Sequence, residues 1–232
     1  IGMGRMGRMI RDCAADRGIE VAAEFNTATI AQLAQCDRMD AVIDFSAPAS
    51  LPALAAYVQR TGTPLVSGTT GYCDEEAARV NALGNYAPVA VSANFSIGVA
   101  VLKHLAAEAA ALLPDFDIEI IETHHRMKKD APSGTAKLLL CAVNPDGTHP
   151  TVFGREGFAP RTAGEIGVHA VRGGTVAGVH TVSFFGDEEE LSLTHRAESR
   201  RIFAIGALKT AEKLKDAPVG LHTLDELLFA RR

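Results

Sequence analysis

One short stretch of the chain concentrates side chains that can donate protons and carry positive charge. In the six residues 124–129, five are basic or can become so, although the 232-residue chain has a formal net charge of −5. An Asp-Ala-Pro turn then leads into Ser133-Gly134-Thr135, whose small residues can expose backbone N–H groups. Fixed cations, a titratable donor and exposed amides suit a small anion with several charges. Most charge runs are only solvated surface, so the elements around this one decide its meaning.

A glycine-rich turn at the start of the chain has the form G-x-G-x-x-G and contains Gly2, Gly4 and Gly7. Apolar residues recur behind it at helical spacing, which predicts a helix that ends near Gly18. Such glycines let a pyrophosphate approach the amides at a helix N-terminus. Glu24 follows Gly2 by 22 residues, at the end of an apolar run at 19–23. In dinucleotide-binding folds an acid about 20 residues on binds the ribose hydroxyls.

Three apolar strand candidates, residues 41–45, 64–66 and 88–91, alternate with helices predicted at 48–60 and 74–83. Continuous apolar strands between helices indicate a parallel sheet that is covered on both faces. Each strand runs into small polar residues, and ligands of such sheets bind beyond the carboxyl ends of the strands. The expected cofactor-binding residues are Gly2, Gly4, Arg5, Met6, Gly7, Glu24, Gly68, Thr69, Thr70, Ser92, Asn94 and Phe95.

The pattern changes after a helix predicted at residues 97–113. A strand at 117–122 runs into the basic segment, and a helix at 136–141 follows, capped by Ser133 or Thr135. Long strands are predicted at 165–172, 175–185 and 190–197, with hairpin turns at 173–174 and 186–188, and closing helices at 200–214 and 221–229. We expect the long strands to be antiparallel and to form an open sheet, one face of which a second subunit covers.

Composition narrows the class of protein. The fractions of 47% hydrophobic and 22% charged residues are ordinary for a soluble globular protein, and the mild acidity argues against a general nucleic-acid binder. No apolar run approaches the roughly 20 residues of a membrane span. The four cysteines and the histidines show no paired spacing, so we expect no metal site and a cytoplasmic location. Because the chain begins at Ile1-Gly2, we also expect a strand before it.

Seven motifs occur in a fixed order: G-R-M-G at Gly4, D-F-S at Asp44, G-T-T-G at Gly68, N-F-S-I-G at Asn94, E-T-H-H-R-M-K-K-D-A-P-S-G-T-A at Glu122, H-A-V-R-G-G at His169 and G-V-H-T-V at Gly178. Over nearly the whole chain these motifs resemble those of the dihydrodipicolinate reductases. The basic segment is the most specific of them. The opening glycine turn is one residue shorter than the common form of the family, and the segments near 26–38 and 141–151 also look short.

The resemblance implies a two-domain enzyme of the diaminopimelate route to lysine. It would reduce a cyclic dicarboxylate, 4-hydroxy-tetrahydrodipicolinate, to tetrahydrodipicolinate with NADH or NADPH. Residues 1–96 and 204–232 would form a Rossmann-type, parallel-sheet nucleotide-binding domain. Residues 97–203 would form an α+β domain with a mainly antiparallel open sheet, which binds the substrate and builds a homotetramer.

In such an enzyme, the residues of the basic segment 124–129 and of the turn after it would have different roles. His124 can be the general acid because imidazole titrates near working pH, and Lys128 can stabilise developing negative charge. The resemblance favours His125 as a ligand of one substrate carboxylate, while Ser133, Gly134 and Thr135 would hold the other. We expect Arg126 and Lys129 to face solvent, and His180 and His195 to be ordinary sheet residues. The sequence alone does not show whether Arg172 reaches the substrate site.

The residues after Glu24 include no arginine for a 2′-phosphate, which favours NADH over NADPH without excluding dual use. Two other functions stay open. The first is another NAD-dependent enzyme of the amino-acid dehydrogenase type; no cysteine has the context of the nucleophile that a semialdehyde dehydrogenase needs. The second is a nucleotide-sensing module without catalysis, against which the set of His124, Lys128 and Ser133-Gly134-Thr135 argues.

Overall fold

The computed structural model describes residues 1–229 of the chain. By its contacts the chain divides into two compact units, Ile1–Ile97 with Arg201–Arg232, and Gly98–Arg200. The predicted nucleotide-binding domain extended to residue 232, and its residues 230–232 lie outside the described residues. Among the residues described, no helix is long and apolar enough to cross a membrane.

The first unit is built on a parallel four-stranded sheet with the order β1-β2-β3-β9. Numbered along the whole chain, its strands are β1 (Val42–Asp44), β2 (Leu65–Ser67), β3 (Pro88–Val91) and β9 (Gly220–Leu221). Its helices are α1 (Arg5–Asp16), α2 (Leu51–Thr61), α3 (Asp74–Ala82), α6 (Arg201–Leu214) and α7 (Leu224–Phe229), with 3₁₀ turns at Ile30–Gln35, Pro48–Ser50 and Leu83–Asn85. The predicted Rossmann-like class is confirmed.

Both faces of this sheet are buried. Leu65 of β2 packs in one apolar cluster with Leu54 of α2, whereas the next residue, Val66, packs in another cluster with Ala207 of α6. Successive strand residues point to opposite faces, so a strand covered on both sides must be apolar at every position. This is why β2 reads as a continuous apolar run.

The apolar run at residues 19–23 is not a strand. The run has no strand pairing in the structure. Just beyond it, Gly2 N–H donates to the Phe25 carbonyl at 2.9 Å, and on its other side the Ile1 ammonium donates to the Ile43 carbonyl at 2.6 Å. Apolar composition favours a strand only where a neighbouring strand can pair with it.

The second unit is built on a mixed five-stranded sheet with the order β5-β6-β4-β7-β8. Its strands are β4 (Asp117–His124), β5 (Thr151–Phe153), β6 (Ile166–Arg172), β7 (Gly178–Gly186) and β8 (Glu189–Ala197). Its helices are α4 (Ile97–Leu112) and α5 (Gly134–Val143). The first residue of α4, Ile97, is the last residue of the segment Ile1–Ile97 that belongs to the first unit. β4 pairs antiparallel with β7 and β7 antiparallel with β8, whereas β6 is parallel to both β4 and β5.

One of the two predicted hairpins is absent, because β4 lies between β6 and β7. Gly173-Gly174 therefore does not join neighbouring strands; instead Gly173 N–H donates to the His124 carbonyl at 2.9 Å, at the end of β4. The β7–β8 hairpin is present, with a two-residue turn in which Glu188 has φ 62°. Turn residues indicate a reversal of the chain but not which strand inserts beside it.

The alternation along β4 decides which side chains face the helices. Ile120, Glu122 and His124 are buried, whereas Ile121 is 41% exposed. Ile120 packs in the core with residues of α4 and α5. Since alternate strand residues share a face, Glu122 and His124 lie on this helix-covered face.

Candidate active site

A fully buried carboxylate organises the end of β4. Glu122 is 0% exposed and receives four hydrogen bonds. The Arg172 guanidinium donates to both of its oxygens at 2.7 Å, the Ser133 amide donates to Oε1 at 2.9 Å, and His124 Nδ1 lies 2.6 Å from Oε2. Burial alone would raise the pKa of Glu122, but the bonds from Arg172, His124 and Ser133 outweigh it and lower the pKa. Glu122 is therefore ionised at neutral pH.

The imidazole of His124 is fixed by this carboxylate. An ionised acceptor at Nδ1 requires the proton to be on that nitrogen, so Nε2 is the atom free for chemistry. A Cβ built on Gly178 would lie 3.1 Å from Nε2, so the glycine keeps the approach to this atom open. Burial lowers the pKa of His124, the contact with Glu122 opposes that shift, and the charges of Lys128 and Arg172 add to it.

The strand ends at His124, and the chain then turns. His125 N–H donates to the Val176 carbonyl at 2.8 Å and Lys128 N–H to the His125 carbonyl at 3.1 Å, so residues 125–128 reverse the chain beside the site. The Lys128 ammonium lies 2.8 and 3.0 Å from the two carboxylate oxygens of Asp130, and this contact lowers the pKa of Asp130. Lys128 is half-buried, whereas Arg126 and Lys129 are exposed.

The N-terminus of α5 follows directly. Ser133 is the N-cap: its hydroxyl accepts from Ala136 N–H at 3.1 Å and lies 3.0 Å from His180 Nε2. The hydroxyl and the amide of Ser133 are therefore both engaged within the protein. Gly134 and Thr135 stand in the first turn of the helix, where the helix dipole favours an anion. Space is open around Gly134, since a Cβ built there meets no atom within 4 Å.

Two histidines of the sheet adjoin the cluster. His180 of β7 is 4% exposed, stands opposite Glu122 in the strand register, and meets the His124 ring edge-on with centroids 5.1 Å apart. Burial first, and then His124, lowers the pKa of His180 to about 4. His195 of β8 pairs directly with His180, and burial lowers its pKa also. Among the described residues, Nδ1 of each of these two rings has no hydrogen-bond partner.

The glycine turn of the first unit has the geometry of a phosphate-binding loop. Gly2 has φ 90° and carries no side chain against the Phe45 carbonyl, and a Cβ on Gly7 would overlap the Gly2 carbonyl oxygen. Gly4 is the N-cap of α1, so no side chain occupies its first amides. These are the conditions for a pyrophosphate at a helix N-terminus. Arg5 and Met6 open α1, and Glu24 lies near Arg11, 3.9 Å from Nη1 to Oε2.

The loops after β1, β2 and β3 are held by internal bonds. The buried Asp44 accepts from the Thr69 hydroxyl at 2.7 Å and from the Ser46 hydroxyl at 2.5 Å. After β3, Asn94 N–H donates to the Ser92 hydroxyl at 3.1 Å. The rings of Phe45 and Phe95 pack against each other at a tilt, with centroids 5.7 Å apart, and a Cβ on Gly68 would overlap the Phe45 ring. Thr70 is exposed beside them. Rigid loops at the carboxyl edge of a parallel sheet suit a bound dinucleotide.

Comparison with known proteins identifies the family that has this nucleotide-binding turn and this histidine site. Residues 1–95 match the family profile described as "Dihydrodipicolinate reductase, N-terminus", and residues 98–228 match the one described as "Dihydrodipicolinate reductase, C-terminus". The chain belongs to the dihydrodipicolinate reductase family. It is thus an NAD(P)H-dependent oxidoreductase that reduces 4-hydroxy-tetrahydrodipicolinate in the diaminopimelate route to lysine, as predicted.

Relatives in this family match over almost the whole chain. The 4-hydroxy-tetrahydrodipicolinate reductase of an Exiguobacterium species is 42% identical over 233 residues, covering 97% of this chain and 93% of the relative. That of Thermomicrobium roseum is 42% identical over 249 residues, covering 97% and 96%. A dipicolinate-bound dihydrodipicolinate reductase from Paenisporosarcina sp. TG-14 has the same fold, with a TM-score of 0.74 at 21% identity over 98% of this chain and 96% of that one.

Other dehydrogenases share the architecture at a greater distance. An amine dehydrogenase from Mycobacterium smegmatis aligns with a TM-score of 0.60 at 12% identity, covering 100% of this chain and 95% of that one. Such a likeness concerns the fold alone. The reductase family match therefore displaces both alternatives left open by the sequence, the amino-acid dehydrogenase and the nucleotide-sensing module.

The structure adds residues that the sequence did not identify as part of this reductase site. Glu122, His180 and Asp130 contact predicted functional residues, and Arg172 contacts Glu122. Glu122 could have been found, because it stands two residues before His124 and a strand places such residues on one face. Arg172 and His180 are distant along the chain, and only strand pairing brings them in.

Proposed function

We propose that His124 is the general acid of this reductase and that Lys128 stabilises negative charge at the reacting centre. The observation that carries the proposal is the orientation of His124: Glu122 holds Nδ1, and Nε2 faces the space beside Gly178. When NAD(P)H is bound, its nicotinamide supplies the hydride. The imidazolium of His124 donates a proton from Nε2 to the atom on which negative charge develops as the hydride adds. The 4-hydroxyl group leaves as water, so the substrate gains one hydride and one proton and loses one water overall.

A substrate with two carboxylates supports the protonated state of His124. Although burial lowers the pKa of this imidazole in the free protein, negative charges placed nearby favour its charged form. Lys128 offers a second positive charge, and Asp130 holds its ammonium in a fixed position until the substrate binds. We expect kcat/KM to fall as the pH rises through the pKa of His124, because only the imidazolium donates.

The substrate carboxylates are assigned to the turn and to the helix that follow β4. We propose that His125 binds one carboxylate and that the amides of Gly134 and Thr135, with the Thr135 hydroxyl, bind the other. The first turn of α5 provides donors and a favourable dipole for this purpose. Ser133, predicted as a third ligand, would contribute as the cap that presents these amides, since its own hydroxyl and amide already make internal hydrogen bonds.

The catalytic assignment is tested with His124→Gln and Lys128→Ala. Each substitution should lower kcat by about a hundredfold or more, the usual scale for a positioned proton donor or charge. The dissociation constant of NADH should stay near that of the wild type, as measured by fluorescence titration. Lys129→Ala, which removes an exposed lysine next to the site, serves as the matched control. A near-wild-type kcat in either variant would refute the assigned role.

We propose that the first unit binds the dinucleotide and that NADH is preferred. A carboxylate such as Glu24 suits a ribose diol and repels a 2′-phosphate. Arg11, 3.9 Å from Glu24, is close enough to support some use of NADPH. The ratio of kcat/KM for the two cofactors measures the preference, and Arg11→Ala should reduce the value for NADPH more than that for NADH. A strong preference for NADPH in the wild type would overturn the proposal.

We also propose that the second unit forms a homotetramer through its open sheet face. The face opposite α4 and α5 carries a mixture of apolar and hydroxyl side chains, Ile121, Thr123, Val171, Thr181 and Thr194. Such a face suits burial against a second copy of the chain. Light scattering coupled to gel filtration should yield four times the mass of one chain. A monomeric mass at micromolar concentration would exclude the tetramer.

A further inference from the structure

The pair of Glu122 and Arg172 has no part in the chemistry described so far, although Glu122 is buried and receives four hydrogen bonds. Glu122 has no solvent exposure, and a buried carboxylate is costly unless every lone pair finds a donor. Its four donors come from three separate parts of the chain: His124 on the same strand, Arg172 on β6, and Ser133 at the start of α5. An apolar residue would fill this position at lower cost if it served the core alone.

We propose that Glu122 is a positioning residue for His124 and that Arg172 is a positioning residue for Glu122. The proposal rests on the proposed role of His124 as general acid. Neither residue touches substrate or cofactor in this scheme. Glu122 sets which nitrogen of His124 carries the first proton, and Arg172 sets the position and the charge balance of Glu122.

The first part of the argument is the tautomer. A neutral imidazole can carry its proton on either nitrogen, and the partner of one nitrogen decides the state of the other. The contact of 2.6 Å between Glu122 Oε2 and His124 Nδ1 places the proton on Nδ1. Nε2 then takes up the proton to be transferred and faces the opening beside Gly178. A carboxylate that orients a catalytic histidine plays the same part in hydrolytic triads.

The second part is the geometry of Arg172. In the sheet register Arg172 stands directly beside His124 on the parallel neighbour β6. Its fork holds both oxygens of Glu122 at 2.7 Å, and its Nη2 also donates to the Asp130 carbonyl at 2.7 Å. Asp130 in turn binds the Lys128 ammonium. One ion pair thus connects the imidazole, the turn with Lys128, and, through Ser133 N–H, the start of α5.

The third part is the sign of the charges around His124. The ionisable groups that face it are Glu122 on its own strand, Lys128 on the turn, Arg172 on β6 and His180 on β7. Glu122 alone favours the imidazolium, and the cations oppose it. Removal of the Glu122 charge should therefore move the falling limb of the kcat/KM profile to lower pH. A residue that merely supports the fold would not shift this limb.

Glu122→Gln in the full chain is the primary test. We expect kcat to fall about tenfold to a hundredfold, the scale found for groups that orient a functional imidazole, with KM for NAD(P)H unchanged. The falling limb of the pH profile should move to lower pH. NMR of ¹⁵N-labelled histidine, with His124→Gln to assign the signal, should show loss of the pure Nδ1–H tautomer. An unchanged tautomer together with an unchanged limb would overturn the proposal.

Glu119→Gln is the matched control. Glu119 stands on the same strand and lies 2.6 Å from His169 Nε2, so the variant removes an equivalent carboxylate–imidazole pair outside the site. In this variant, the falling limb of the kcat/KM profile against pH and the tautomer of His124 should be the same as in the wild type. A shift as large as that of Glu122→Gln would mean that any loss of charge in the sheet has this effect, and would overturn the proposal.

If Glu122→Gln does not fold, Arg172→Lys provides a second test of the proposal. It retains the positive charge but loses the two-pronged bond, so kcat should fall severalfold while the limb stays in place. An unchanged kcat would contradict the role given to Arg172. Failure of the underlying function is distinguishable: a fully active His124→Gln would refute the general acid, whereas the tautomer change in Glu122→Gln is measured without reference to activity.

Discussion

The buried ring of His180 makes the stability of this reductase depend on pH. Burial, with a smaller contribution from His124, lowers the pKa of His180 from its ordinary 6.5 to about 4. Between these two values the unfolded chain binds a proton on this side chain that the folded protein does not bind. The free energy of unfolding therefore falls as the pH falls through this window, and it is fully retained above it. Because one pKa unit corresponds to about 1.4 kcal/mol, the full loss is about 3 kcal/mol.

Groups near His180 also affect how the free energy of unfolding changes over this pH range. Burial lowers the pKa of both His124 and His195, so these rings add to the slope, whereas the carboxylate of Glu122 favours a charged His180 and reduces its share. His180→Gln isolates that share, since a glutamine oxygen can accept the Ser133 hydroxyl but does not titrate. The variant should lose up to about 3 kcal/mol less stability on acidification than the wild type does.

The assay is urea-induced unfolding, followed by circular dichroism, at a series of pH values from about 7 down to about 4.5. His104→Gln, which removes an exposed histidine of α4, is the control and should reproduce the wild-type slope. The slope for His180→Gln should be visibly shallower. If it equals the wild-type slope, or if NMR titration shows His180 ionising near its ordinary pKa, the assignment of this proton to the buried ring is refuted.

Three further predictions follow from the structure. Gly178→Ala places a methyl group 3.1 Å from His124 Nε2 and should lower kcat at least tenfold with KM for NAD(P)H unchanged; an unaffected kcat would show that catalysis does not use this opening. Ser133→Ala removes the N-cap of α5 and should lower the free energy of unfolding by about 1–2 kcal/mol in urea titrations, with no change meaning that the cap is dispensable. Leu139→Ala, at a fully buried position of α5, should cost about 2–5 kcal/mol, whereas Leu138→Ala, at an exposed one, should cost about 0.5 kcal/mol or less; similar losses would contradict the burial pattern.

The site was predictable to the extent that its residues are neighbours in sequence. His124, Lys128 and the turn at Ser133 share one segment, and a strand followed by a helix N-terminus is enough to bring them near each other. The glycine turn at Gly2 was visible for the same reason. His180 shows the limit, because its ring contact with His124 and its bond to Ser133 span 47 or more residues and depend on the pairing of β7 with β4.

The error in the fold has a simple cause. The hairpin expected at Gly173-Gly174 has suitable turn residues but a third strand between its arms. Side-chain pattern and turn chemistry act within a few residues. Pairing partners are chosen by the packing of the whole sheet, which local patterns do not contain.

By itself the sequence indicated which residues could carry the chemistry of this reductase and where most of the strands and helices with a covered face lie. Both depend on residue type and short-range spacing. Only the tertiary structure decided that Arg172, 50 residues beyond Glu122, pairs with that buried carboxylate, and that Glu122 in turn contacts Nδ1 of His124. The physical reason is that a buried charge must find its partner across the sheet, and the partner is set by strand order and register.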